Sequence, residues 1–130
     1  MLKHQRQFWD MPNRIVLLIG GYGSGKTYIG ALKSLYMSYL NSPVPGMYVS
    51  PSHQVATKTI IITLKELCNR AGINFTYNQQ RSEFIFHNWG GKIWLGSGDK
   101  PDSLRGPNIG WAVIDEPFIQ KREVFEQMIA

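Results

Sequence analysis

The chain's 130 residues, 43% of them hydrophobic, suffice for one packed core and argue against a second domain. Its formal charge of +5 suits contact with nucleotide or nucleic-acid phosphate and equally suits simple solubility, because the Lys and Arg residues are scattered and form no basic tail. The lone cysteine, Cys68, rules out an internal disulfide framework or thiolate metal cluster and fits a reducing cytoplasm, while the lack of a long apolar stretch or signal peptide argues against membrane and secreted proteins.

Arg14 to Ile19 is a short apolar run rich in β-branched residues and closed by Gly20-Gly21, the pattern of a central strand buried on both faces of a parallel sheet. From Gly25 to about Leu40, apolar Ile29, Leu32, Leu35, Tyr36 and Tyr39 recur at spacings of three and four, which predicts an amphipathic helix ending before Asn41-Ser42-Pro43. Gly46 to Ser50 reads as a second strand. A second helix is expected from about Val55 to Ala71, with Ile61, Leu64, Leu67 and Cys68 on one face and Gly72 as its stop.

Three β-rich runs follow, Asn74 to Tyr77, Glu83 to His87 and Lys92 to Leu95, and the turn signals between them predict a small antiparallel insertion. Trp111 to Ile114 is a further apolar strand that ends in Asp115-Glu116-Pro117, and a last helix is expected from about Lys121 to the C-terminus. Alternating strands and helices define an α/β domain, with a mostly parallel sheet flanked by helices.

The turn after the first strand reads Gly20-Gly21-Tyr22-Gly23-Ser24-Gly25-Lys26-Thr27 and matches G-x-x-x-x-G-K-[ST] between a strand and a helix, the context a phosphate loop requires. Glycines let the backbone curl so that several N–H groups face one anion, and the following helix aims the positive end of its dipole at the same point. Gly21, Tyr22, Gly23, Ser24 and Gly25 would then cradle the phosphates of ATP, Lys26 would reach the β- and γ-phosphate oxygens, and the Thr27 hydroxyl would ligate Mg2+.

Asp115 and Glu116 stand at the carboxyl end of a buried strand, where parallel-sheet domains gather their ligands. Asp115 would hold the Mg2+ shell through water. Glu116 would orient and deprotonate an attacking water, a general-base role that suits hydrolysis and is not needed by small-molecule kinases.

With both motifs in place, the Gly-Gly-x-Gly-Ser-Gly-Lys-Thr loop, the strand exit Tyr48-Val49-Ser50-Pro51 and the element Ser103-Leu104-Arg105-Gly106 ahead of Asp115-Glu116 together resemble the N-terminal ATPase segment of phage terminase large subunits. The resemblance spans most of the chain. It implies an ASCE-like P-loop ATPase that hydrolyses ATP with Mg2+ and moves double-stranded DNA into a capsid. The expected partners are other copies of itself in a ring, a portal and a terminase small subunit, in the cytoplasm of the host of the encoding virus.

By the same resemblance, Arg105 matches an arginine inserted in trans by a neighbouring subunit, and Gln5 matches a glutamine that contacts adenine. Each has a plainer alternative, a loop-anchoring arginine and a solvated glutamine. Many relatives carry arginine where this chain has Tyr22, so that arginine's role does not transfer, and Tyr22 is open to stacking or capping. A helicase-like DNA-dependent motor and a nucleotide-binding remnant without turnover are the functional alternatives.

The resemblance also implies that residues 1–130 are a partial ATPase domain, cut after the carboxylate strand, with the rest of that domain and a nuclease domain to follow. In ATPases of this type a later strand inserts between the phosphate-loop strand and the carboxylate strand. Ile15–Ile19 and Val113–Asp115 are therefore expected to face an empty slot, leaving the isolated segment marginal.

Overall fold

The computed structural model describes residues 15–18, 25–52, 54, 59–97 and 108–115, the first group through its backbone. In chain order the elements are β1 (Ile15–Leu18), α1 (Lys26–Asn41), β2 (Gly46–Ser50), α2 (Ile60–Ala71), β3 (Phe75–Asn78), β4 (Glu83–Phe86), β5 (Gly91–Ser97) and β6 (Ala112–Asp115). The six strands form one sheet in the order β1-β6-β2-β5-β4-β3. The last helix expected near the C-terminus, and the expected start of the second helix at residues 55–58, lie outside the described residues.

The pairing divides the sheet in two. β1, β6, β2 and β5 run parallel, while β5, β4 and β3 form an antiparallel meander. The antiparallel runs anticipated from sequence are thus present, but they continue the main sheet through the β2–β5 ladder and do not form a separate insertion. Every residue of β2 and β6 is buried, as expected where strands are covered on both faces, whereas β3 alternates half-buried and exposed residues.

One expectation is overturned. β1 and β6 pair directly, with Ile15 opposite Ala112 and Leu18 opposite Asp115, so no slot separates the phosphate-loop strand from the carboxylate strand. Among the described residues β1 is the outermost strand of the sheet, where a central one was expected. Each unpaired backbone group in a dry slot costs about 1–3 kcal/mol, and two adjacent parallel strands remove that cost by closing onto one another. The backbone deficit on which marginal stability was argued is absent between these strands.

Both helices feed one core cluster, in which Ile29, Ala31 and Leu35 of α1 and Ile60, Ile61, Leu64 and Cys68 of α2 meet Tyr48, Phe84, Phe86, Ile93 and Val113 of the sheet. The opposite face carries a smaller cluster of Met47, Val49, Ala112 and Ile114. α2 buries the face its periodicity anticipated and ends on Gly72, whose φ of 69° is the left-handed cap that glycine adopts without a Cβ penalty. Cys68 is fully buried, which pushes its thiol up to about 11 and makes it an unreactive core residue.

α1 differs from its sequence reading. Tyr36 and Tyr39 are 41% and 59% exposed, while Ser34 and Ser38 are buried. The helix lies so close to β5 that a Cβ on Gly91 would come within 2.3 Å of Ser38 Oγ, so small residues occupy the contact. Ser34 satisfies its hydroxyl by donating to Gly30 O at 2.7 Å, and Ser38 Oγ accepts from Trp89 Nε1 at 3.1 Å. No helix among the described residues is long and apolar enough to cross a membrane.

Candidate functional site

The start of α1 is built to face an anion. Gly25 sits ahead of it with φ 76° and ψ 14°, a left-handed conformation in which a side chain would be strained, and the helix's first bond runs from Ile29 N to Gly25 O at 3.2 Å. Gly25, at the N-cap, has no side chain to cap the helix, and the first turn holds no acidic residue. The positive end of the helix dipole therefore stands beside the Lys26 ammonium with no carboxylate in the turn to offset it.

The parallel register brings the two sequence motifs to one place. β1 leads toward the loop and β6 ends at Asp115, with Leu18 and Asp115 opposite each other, so both strands finish at the same sheet edge. There Lys26 Nζ lies 3.5 Å from Asp115 Oδ1. That separation is longer than the ~2.7–2.9 Å of a charge-assisted hydrogen bond, and the Lys26 charge favours the ionised form of Asp115.

Asp115 is 3% exposed, and burial raises its pKa; the Lys26 charge and a hydrogen bond from Tyr48 pull the other way without cancelling that effect. The Tyr48 hydroxyl donates to Asp115 Oδ2 at 3.1 Å, and its own pKa is driven well up, first by burial and then by the neighbouring carboxylate. Ser50 lies two residues beyond Tyr48 on the same strand face. It is 1% exposed and its Oγ has no hydrogen-bond partner among the described residues.

Of the residues singled out from sequence, Lys26 and Asp115 are brought together and Thr27 follows Lys26 in the first turn of α1. Gln5, Gly21, Tyr22, Gly23, Ser24, Arg105 and Glu116 lie outside the described residues. Tyr48 and Ser50 were not selected, since only the β2–β6 register, with Tyr48 opposite Val113 and Val49 opposite Ile114, aligns the end of β2 with Asp115.

The donor set suits a hydrated divalent cation on a phosphate. At this edge it comprises the hard oxygens of Asp115, the Lys26 cation, and a buried hydroxyl at Ser50 whose hydrogen bonding is unmet among the described residues.

The α/β fold, a mixed sheet with helices, is that of phage large terminases. The large terminase of a thermophilic bacteriophage superposes with a TM-score of 0.82 at 13% identity, over 98% of this chain and 35% of that one. The same terminase in complex with ADP gives 0.78 at 14% identity, over 98% and 34%. The large terminase ATPase domain of Thermus phage P74-26 gives 0.69 at 15% identity, over 96% and 59%. The chain thus spans about a third of the first of these proteins, 35% by length.

Residues 17–130 match the family described as terminase large subunit, T4likevirus-type, N-terminal, and the chain belongs to that family. Among curated proteins, none matches the sequence.

Proposed function

We propose that this chain is the phosphate-binding front of an ATPase domain that, in the full-length protein, hydrolyses ATP with Mg2+ and uses the reaction to move double-stranded DNA into a phage capsid. The observation that carries this reading is the meeting of Lys26 and Asp115 at one sheet edge, at the start of α1. The ADP complex of the thermophilic bacteriophage's large terminase supports nucleotide as the ligand. Family membership favours a packaging motor over a helicase-like one.

In this reading the backbone N–H groups of Gly21 to Gly25 hold the β-phosphate, and Lys26 leaves Asp115 to bind the β- and γ-phosphate oxygens. Thr27 and Asp115 would hold Mg2+, which when bound would supply charge neutralisation on the phosphate oxygens. Glu116 takes a proton from the water that attacks the γ-phosphorus, and the bond from that phosphorus to the β–γ bridging oxygen breaks to release ADP.

Arg105 of a neighbouring copy stabilises the charge spread over the transferred group, and Gln5 contacts adenine. The partners are DNA, further copies in a ring, a portal and a small subunit, and the setting is the cytoplasm of the phage's host.

The decisive measurement is Mg2+-dependent phosphate release by the full-length protein. Glu116→Ala should lower it by about 100-fold or more. Mixing Arg105→Ala with Glu116→Ala subunits should restore part of the activity, because some interfaces then pair an intact Glu116 with an intact Arg105. No restoration at any ratio removes the trans role, and nucleotide binding without release by wild type reduces the protein to a nonhydrolytic binder.

A further inference from the structure

Tyr48 is 0% exposed in a core where phenylalanine would fill nearly the same space, so its hydroxyl needs an explanation of its own. The strand register supplies one. Tyr48 stands opposite Val113, Asp115 follows two residues along the same face of β6, and the phenol reaches across to donate to Asp115 Oδ2 at 3.1 Å. The other carboxylate oxygen faces Lys26 at 3.5 Å. One oxygen is thus tied to the core while the other is presented to the phosphate-loop cation.

We propose that Tyr48 is a positioning residue for the metal-nucleotide site: its hydroxyl holds Asp115 Oδ2 and thereby fixes the carboxylate with Oδ1 turned toward Lys26 and the triphosphate. The inference rests on the proposed role of Asp115 toward Mg2+. A carboxylate's terminal torsion is broad and two-fold, so an untethered Asp115 would have to be ordered when the metal arrives. A neutral donor suits the task, because it orients the group without neutralising the charge that attracts a cation. Outer-shell hydrogen bonds to metal-holding groups are commonly worth about 10–100-fold in metal affinity. With phosphate oxygens also holding the ion, the lower end, about tenfold, is expected here.

The test compares the intact wild-type protein with Tyr48→Phe by the fluorescence of an N-methylanthraniloyl ADP, titrated with Mg2+ and, separately, in EDTA. Without metal the two should bind the nucleotide equally. With metal, Tyr48→Phe should need about ten times more Mg2+ for half-saturation. On an Asp115→Asn background the same substitution should change nothing further, a coupling that a merely structural role would not produce.

Equal Mg2+ dependence in the two proteins overturns the proposal, and so does an equal loss with and without metal. A wild type whose nucleotide binding ignores Mg2+ refutes the site reading itself, and is recognisable because no variant is involved. In a protein carrying 3-fluorotyrosine at position 48 alone, the fluorine resonance should move on adding Mg2+ to the ADP-bound form. A fixed resonance also overturns the proposal, and this arm decides the matter should Tyr48→Phe not fold.

Discussion

The antiparallel and parallel halves of the sheet satisfy their polar groups in different ways. In the meander, Trp94 Nε1 donates to Glu83 Oε2 at 2.9 Å, Thr76 pairs with His87, and the Asn78 and Asn88 side chains accept from the Arg81 and Asn74 backbones. Around them Phe75, Tyr77, Phe84, Phe86 and Trp89 form a chain of ring contacts with centroids 4.6 to 6.1 Å apart. At the carboxyl edge of the parallel half, Asp115 is buried with a raised pKa and the Ser50 hydroxyl has no partner among the described residues. One half meets its own polar requirements and supplies stability. The other holds groups in a costly environment, which is useful only where a ligand will complete it.

That division can be broken by mutation. Lys26→Ala should lower Mg2+-dependent ATP hydrolysis by the full-length protein about 100-fold or more, a loss read in phosphate release at the edge where Lys26 meets Asp115. Phe84→Ala should act on stability instead. It removes a fully buried ring packed among Phe75, Tyr77 and Phe86, and should cost about 3–5 kcal/mol in chemical denaturation while the folded fraction keeps its nucleotide affinity.

Gly46→Ala sharpens the boundary, because Gly46 lies in the parallel half at the end of β2 away from the site. A Cβ there would sit 1.8 Å from Trp111 Cε2, in a ring that is 1% exposed. A stability loss of about 1–3 kcal/mol with nucleotide affinity intact would confine function to the carboxyl edge. An equal loss of affinity would extend it through the whole parallel half.

Much of the fold could be read locally. The strand Gly46–Ser50, the helix stop at Gly72 and the runs that become β3, β4 and β5 follow from turn residues and periodicity, which are properties of neighbouring residues. The meeting of Lys26 and Asp115 was also legible, because each motif carries its structural context with it. Strand adjacency was not: nothing within Ile15–Leu18 or Ala112–Asp115 states that they pair with each other.

Tyr48 was read only as part of the strand exit Tyr48-Val49-Ser50-Pro51 and given no site role for the same reason, as the register alone places a carboxylate at its hydroxyl. On α1 the tyrosines suggested a buried stripe, but close approach to β5 selected Ser34 and Ser38.

The smallest expected effect tests whether the parallel edge does carry an electrostatic cost. In the folded chain Asp115 has a raised pKa, so the ionised carboxylate is worse off than in the unfolded chain. Its contribution to stability is therefore most favourable below the ordinary aspartate range of about 4 and declines as pH rises through the folded value. Asp115→Asn, which carries no charge, should be somewhat more stable than wild type at neutral pH in chemical denaturation without nucleotide. That advantage should shrink as the pH is lowered toward the ordinary range. An Asn variant less stable than wild type at neutral pH would mean that the Lys26 charge and the Tyr48 bond outweigh burial, so that the site is already satisfied. Saturating Mg2+ and ADP should shift the order toward wild type, because ligand stabilises each form according to its own Kd and wild type, which retains the carboxylate, should bind the metal-nucleotide more tightly.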